Sequence, residues 1–248
     1  MDMIAHWFLE LKASTGLDFT VFYDAYDRGN FFHGLLITVY LAVVTILLSI
    51  VIGTVGAWLQ SSPSRIFRSI ANTFVSIFRN TPPLVQIFFF YFGISSLLPT
   101  SYNEIGLQQP LLSNFQWAII SLSLFAGAFN VEIFRAGIEA VPETTVEAAE
   151  ALGYTRTKSY LYVVLPLALR ICLPSLTNNL VNLLKTTTLA YAIAVPEMLY
   201  SVKQIWTMSQ NVPEMMCLLL FMYVSLVGIL VWIMHMWQRA IKIPGYGK

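Results

Sequence analysis

Long stretches without a charged residue alternate with short polar connections along this chain. No Asp, Glu, Lys or Arg lies between Arg28 and Arg65, and the run from Gly34 to Leu59 exceeds the ~20 helical residues that a bilayer core requires. Further charge gaps run from Arg79 to Glu104, Glu104 to Glu132, Arg170 to Lys185 and Glu214 to Arg239. The pattern predicts helices over 33–59, 67–98, 115–140, 167–187 and 214–239, hence an all-α membrane protein with five transmembrane helices. Residues 1–32, with mostly acidic charges and no apolar core followed by a small-residue cleavage site, read as an extracytoplasmic segment at the membrane surface rather than a secretory signal. Residues 33–239 form the expected transmembrane domain, with a loop at 141–166, and 240–248 a cytoplasmic tail.

Composition sharpens this picture. Apolar residues make up 57% and charged residues 11%, against about 25% charged in soluble domains. The net charge of +1 argues against nucleic acid as a partner, because duplex binding rests on clustered Lys and Arg. Cys172 and Cys217 stand alone in apolar stretches, which rules out a disulfide scaffold or a zinc site, and no metal ligand set is expected. Arg65, Arg68, Arg156, Lys158, Arg170, Arg239, Lys242 and Lys248 fall on one side of the five spans, and only Lys12, Arg28 and Lys203 on the other. The positive-inside bias then puts the amino terminus outside and the carboxyl terminus in the cytoplasm.

Two helices carry signs of interruption. The second contains Arg79-Asn80-Thr81-Pro82-Pro83, and the fourth contains Pro174 followed by Asn178, Asn179, Asn182 and Lys185. Asn178, Asn182 and Lys185 share one helical face. Polar groups within a span are costly unless they line a cavity or find protein partners, and broken helices with polar side chains at mid-depth mark transport sites. The plainer alternative is that Arg79 and Lys185 snorkel to an interface while the asparagines join helices.

The loop between the third and fourth helices reads as two short helices. Pro142 and Glu143 suit a helix start, TTVEAAEAL from Thr144 to Leu152 is rich in helix formers, and Gly153 stands where a helix ends. A second short helix is expected from about Thr155 to Leu165, stopped by Pro166. Glu147 and Glu150 have no partner suggesting catalysis, and no catalytic residue is assigned. A rigid docking knob explains the pattern.

Glu147-Ala148-Ala149, Gly153, Val163, Leu165 and Pro166 match the order and spacing of the EAA loop of bacterial ABC-importer permeases, with Val in place of Ile. Phe78-Arg79-Asn80-Thr81-Pro82, Val131 to Ile138 (VEIFRAGI) and Leu184 to Leu189 (LKTTTL) resemble landmarks of the polar amino acid, histidine/glutamine-type, subfamily. The resemblance runs from about Gly34 to Arg239. It implies a multi-pass protein of the bacterial inner membrane that works with an identical or related second permease subunit, an ATPase dimer and an extracytoplasmic solute-binding protein. ATP and Mg would be bound by the ATPase, and the chain has no G-x-x-x-x-G-K-[ST] phosphate loop of its own.

On this reading Glu147, Ala148, Ala149, Gly153, Leu165 and Pro166 form the ATPase-docking element. Arg79, Glu132 and Lys185, with Asn80, Thr81, Asn178 and Asn182 as polar lining, form a candidate path for an amino acid, a buried cation and anion each complementing one pole of the solute. Glu132 and Arg135, three residues apart, are alternatively an intrahelical ion pair. An ion-coupled carrier or channel acting alone accounts for the intramembrane charges but not for the docking loop. A non-transporting membrane anchor or assembly subunit leaves the polar residues inside helices two and four unexplained.

Overall fold

The computed structural model describes residues 2–102, 105–106 and 108–241; the expected tail residues Lys242 and Lys248 lie outside the described residues. The chain opens with α1 (Asp2–Thr15) and a 3-10 turn (Thr20–Phe22), followed by α2 (Ala25–Gln60) and α3 (Arg65–Asn80). Next, α4 (Pro83–Phe88) runs on through a π-turn (Phe89–Ile94) and a 3-10 turn (Ser95–Leu97). A small antiparallel hairpin, β1 (Thr100–Tyr102) and β2 (Gln108–Pro110), leads to α5 (Asn114–Glu139) and α6 (Glu143–Ala151). The helix α7 (Arg156–Ser159) continues through a π-turn (Tyr160–Val164) into α8 (Leu165–Thr186) and a 3-10 turn (Thr187–Ile193). Two helices, α9 (Met198–Ser209) and α10 (Val212–Ala240), follow.

Among the described residues, four helical segments are long and apolar enough to cross a membrane: Ala25–Gln60, Asn114–Glu139, Arg156–Ile193 and Val212–Ala240. The stretch expected as one helix over 67–98 is interrupted, as its proline pair suggests. Thr81 is extended (φ −113°, ψ 141°), as the residue before a proline tends to be, and Pro83 opens α4 at a position where its missing N–H costs nothing.

Three expectations change. The fourth span is not broken at Pro174: α8 passes through it unbroken and gives way to 3-10 geometry only at Thr187, thirteen residues on. One proline removes one ladder hydrogen bond, whereas Pro82 and Pro83 together remove two donors and constrain Thr81. The second short helix of the loop does not stop at Pro166. Pro166 lies inside a continuous helical run, where it drops one ladder hydrogen bond, and the π-turn before it, with the Leu165 amide bonded to the Tyr160 carbonyl, joins α7 and α8 into one rod. Finally, α2 begins at Ala25 rather than near residue 33, because Asp24 caps it: Asp24 Oδ1 accepts from the Asp27 amide (2.9 Å) and its carbonyl from the Arg28 amide (3.1 Å).

The chain divides into two compact units, one of Met1–Val44, Leu84–Ser121 and Leu184–Gly228, the other of Thr45–Pro83, Leu122–Leu183 and Ile229–Lys248. The first is centred on Val21, Phe31, Met198, Val202, Ile205 and Met215, with Leu35 and Trp206 against them. Its polar links are local ties. Asn114 Nδ2 donates to the carbonyls of Ile193 (3.1 Å) and Ala194 (2.8 Å), satisfying groups freed where Ala194 turns left-handed (φ 58°). Thr38 Oγ1 accepts from the Met198 amide at 2.9 Å at the start of α9.

The second unit packs Leu173, Leu176, Leu180 and Met234 together, with Ile46, Ile133 and Phe134 beside them. Here α2 and α5 lie close because Gly53 faces Asn130, Gly56 faces Val131 and Gly127 faces Ile52; a Cβ on any of the three would collide. Small residues at such contacts let helix backbones approach in lipid, where apolar side chains gain nothing by leaving lipid tails for one another.

Candidate functional site

The second unit holds the principal charged cluster. Glu132, on α5, shares its Oε2 between Arg79 Nη1 on α3 (3.5 Å) and Arg135 Nη2 one turn along α5 (3.4 Å). Its Oε1 accepts from Gln60 Nε2 at the end of α2 (3.2 Å). Gln60 Nε2 also reaches Asn72 Oδ1 on α3 (3.0 Å), and Arg135 reaches Glu139 (3.6 Å). The Arg79 guanidinium lies 5.2 Å from the centre of the Phe129 ring, at cation–π distance.

Two features separate this cluster from a closed structural ion pair. Its charge contacts exceed the ~2.7–2.9 Å of a tight charge-assisted bond, and the side chains of Arg79 and Glu132 keep 40% and 28% of their exposure. In addition, Gln60 is buried, yet its Oε1 accepts no hydrogen bond among the described residues. The exposed face of α3 continues the polarity: Arg65, Arg68, Ser69, Asn72, Thr73 and Ser76 line an open cavity of about 550 Å³.

The expected residues separate into groups. Arg79 and Glu132 do come together, but with each other rather than as independent complements for two poles of a solute. The Glu132–Arg135 pair is present as well, so Glu132 bridges the two arginines. Asn80 and Thr81 bond back to their own helix, Asn80 Nδ2 to the Ser76 carbonyl (2.8 Å) and Thr81 Oγ1 to the Ile77 carbonyl (2.9 Å), capping the break. Asn178, Asn182 and Lys185 occupy the exposed side of α8.

Asn179 turns inward instead. It donates to the Ala126 carbonyl (3.0 Å) and to Asn130 Oδ1 (2.8 Å), while Asn130 donates to Ser49 Oγ (3.1 Å). This buried chain joins α2, α5 and α8.

In the loop, Glu147, Ala148 and Gly153 are exposed, and Leu165 and Pro166 are exposed on the rod that follows. Ala149 is buried, so its small side chain serves close packing of α6 within the chain, not contact outside it. Gly153 takes φ +88°, a conformation that favours glycine, and its amide bonds the Glu150 carbonyl (2.9 Å) to end α6. Leu152, unassigned from the sequence, is 81% exposed at the tip of the knob. Gln60, Asn72 and Asn130 were also missed, while Asn179 takes the helix-joining role offered as the plainer alternative. The spacing of Asn72, Ser76 and Arg79 along α3 was a readable signal, whereas nothing local marks Gln60.

Another carboxylate escaped the sequence reading altogether. Glu197 in the first unit, outside the four candidate spans, is fully buried at the start of α9. It accepts from the amides of Leu199 (3.0 Å) and Tyr200 (2.9 Å) and from the Tyr223 hydroxyl (3.2 Å). Burial pushes its pKa up to about 7, against the opposing pull of these bonds. Among the described residues no group of His, Cys, Asp or Glu is arranged to hold a metal ion.

Residues 49–243 match the family described as the binding-protein-dependent transport system inner membrane component, and the chain belongs to that family. It is a multi-pass protein of the inner membrane. Among relatives, it is 28% identical over 222 residues to the glutamate/aspartate import permease protein GltJ of Escherichia coli (strain K12), covering 88% of this chain and 89% of that protein. It is 30% identical to the probable glutamine ABC transporter permease protein GlnP of Bacillus subtilis (strain 168), over 75% of this chain and 80% of that one. In fold it resembles a crystal structure of an amino acid ABC transporter with histidines, with a TM-score of 0.74 and 23% identity over 94% of this chain and 98% of the other.

Proposed function

We infer that this chain is the permease subunit of an ATP-binding-cassette importer that moves a polar amino acid into the cytoplasm. The relatives named for glutamate/aspartate and for glutamine support an α-amino acid as cargo. They favour this reading over an ion-coupled carrier. The working unit pairs the chain with a second, identical or related permease subunit, an ATPase dimer that binds ATP and Mg, and an extracytoplasmic binding protein. Its amino terminus lies outside, its carboxyl terminus inside, and the interrupted stretch 65–97 supplies a fifth crossing.

The observation that carries the mechanism is the join between knob and rod. α6 presents Glu147, Ala148, Leu152 and Gly153 on an exposed tip, and the run Arg156–Ile193 behind it is helical throughout. Closure of the ATPase dimer pushes the knob, and the rod carries that displacement into the membrane, switching between outward-open and inward-open states.

The Arg79–Glu132–Arg135 cluster provides polar lining that can exchange partners. An entering α-carboxylate competes with Glu132 for Arg79, while an α-ammonium finds Glu132 and the unoccupied Gln60 Oε1. Asn178, Asn182 and Lys185 on the exposed side of α8 add further lining, with Asn80 and Thr81 at the α3 break. The docking half of this account is tested by purification in mild detergent. An ABC-type ATPase is expected to co-purify with the wild-type chain, and Glu147→Arg and Leu152→Asp are expected to abolish its recovery. Release of the chain alone, active in liposomes without ATP, overturns the account.

A further inference from the structure

In the second unit, an apolar cavity of about 440 Å³ opens between the ends of four helices. Its wall includes Thr54 and Trp58 of α2, Phe134 of α5, Tyr160 and Leu169 of the α7–α8 rod, and Trp237 of α10. The size suits a small ligand, yet the lining excludes a polar one. Thr54 Oγ1 is spent on the Ile50 carbonyl (2.8 Å) and Cys172 Sγ on the Leu169 carbonyl (3.2 Å), which leaves the Tyr160 hydroxyl and the indole N–H groups of Trp58 and Trp237 as the polar parts of an otherwise apolar and uncharged wall. An amino acid in transit would lose its hydration there and find no charged partner for its ammonium or its carboxylate.

A second groove, of about 610 Å³, shares Ile138 and Tyr160 with this cavity and adds Arg156 and Thr157. No acidic residue lines either space, and Arg156 makes no ion pair among the described residues. A dry cavity therefore adjoins a cation and a hydroxyl, with Lys158 two residues along. Trp58, Tyr160 and Trp237, exposed by 71%, 42% and 40%, are residue types that gather at the boundary between lipid tails and head groups.

We propose that this paired groove is a binding site for an anionic glycerophospholipid, one acyl chain in the apolar cavity and the phosphate at Arg156 and Thr157. Basic pockets between membrane helices hold anionic head groups through this combination of apolar packing and cation. Lipid binding here is separate from solute transport and does not depend on which solute the protein carries. It places a lipid against the base of the docking knob, so membrane composition acts on the rod that α6 drives.

The test is mass spectrometry of the phospholipid retained by the protein purified with its assembled partners in mild detergent. Wild type is expected to retain phosphatidylglycerol in excess of phosphatidylethanolamine. Filling the cavity with Thr54→Trp is expected to cut retained lipid about tenfold, a loss of roughly 1.4 kcal/mol. Arg156→Gln is expected to lower the anionic excess about fivefold, the worth of one cation near an anionic surface. Leu47→Trp, on α2 away from the cavity, is expected to change neither. A wild-type measurement that needs no folded variant is photo-crosslinking with phosphatidylglycerol carrying a reactive group at its acyl end, which is expected to label peptides containing Thr54 or Leu169. Equal lipid retention by wild type and Thr54→Trp, absence of that label, or cross-linking of a Thr54→Cys variant to a second copy of the chain overturns the proposal.

Discussion

Glu132 and Glu197 are both carboxylates enclosed by helices, and they are held in opposite ways. Glu132 keeps part of its exposure, and its contacts are the ends of three flexible side chains at 3.2–3.5 Å. Glu197 has none, and two of its three partners are backbone amides of its own helix start. Long side chains rearrange at little cost, whereas amides fixed by a helix cannot follow a departing group. A polar group inside a membrane protein is therefore not a transport residue by virtue of position alone; what holds it decides whether it can change partners.

Removing Glu197 sharpens that contrast most. Glu197→Ala deletes a helix cap, worth about 1–2 kcal/mol, and removes one of the hydrogen bonds of the buried Tyr223 hydroxyl, a further ~1 kcal/mol. A loss of about 2–3 kcal/mol in unfolding free energy is expected, read from denaturation in detergent. Next, Asn179→Ala strands Asn130 Oδ1 in the buried chain and is expected to cost about 2 kcal/mol. In a double-mutant cycle with Asn130→Ala the two losses are expected to be less than additive, because they share one bond.

A smaller effect follows from pH. With its folded pKa raised to about 7 from 4.5, Glu197 binds more proton in the folded than in the unfolded chain between those values. Its contribution to stability is complete below about pH 4.5, falls by at most about 1.4 kcal/mol per pH unit as pH rises through that window, and levels off above 7. Glu197→Gln is expected to remove this slope, measured as melting temperature against pH. The smallest change in stability is expected for Glu132→Gln, under about 1 kcal/mol, as for other partly exposed pairs.

Much of this was legible because proline and charge act locally. The break at Pro82-Pro83 and the knob from Pro142 to Gly153 both follow from which backbone groups can bond. The failures are non-local. Helical spacing grouped Asn178, Asn182 and Lys185 correctly, but only packing against Ala126 and Asn130 shows that Asn179 is the structural asparagine and the others face outward. Pro174 was read as a break because the sequence does not show that the turns flanking it are held by neighbouring helices. Ala149 and Ala148 look equivalent in the motif, yet a turn of about 100° leaves Ala148 exposed and Ala149 buried. The helix α9 escaped because it is short and lies between spans, although the sequence Pro196-Glu197 was a usable start signal.

The measurement that tests the central claim most directly is ATP-driven amino acid uptake into liposomes by the complete importer carrying Glu132→Gln, alongside recovery of the assembled complex. The account expects normal assembly and unchanged basal ATP hydrolysis, with uptake reduced about tenfold or more, the loss of at least one charge-assisted contact worth ~1.5–3 kcal/mol. Full uptake by this variant, or loss of assembly, would contradict it and make the Glu132 cluster a structural tie like that of Glu197.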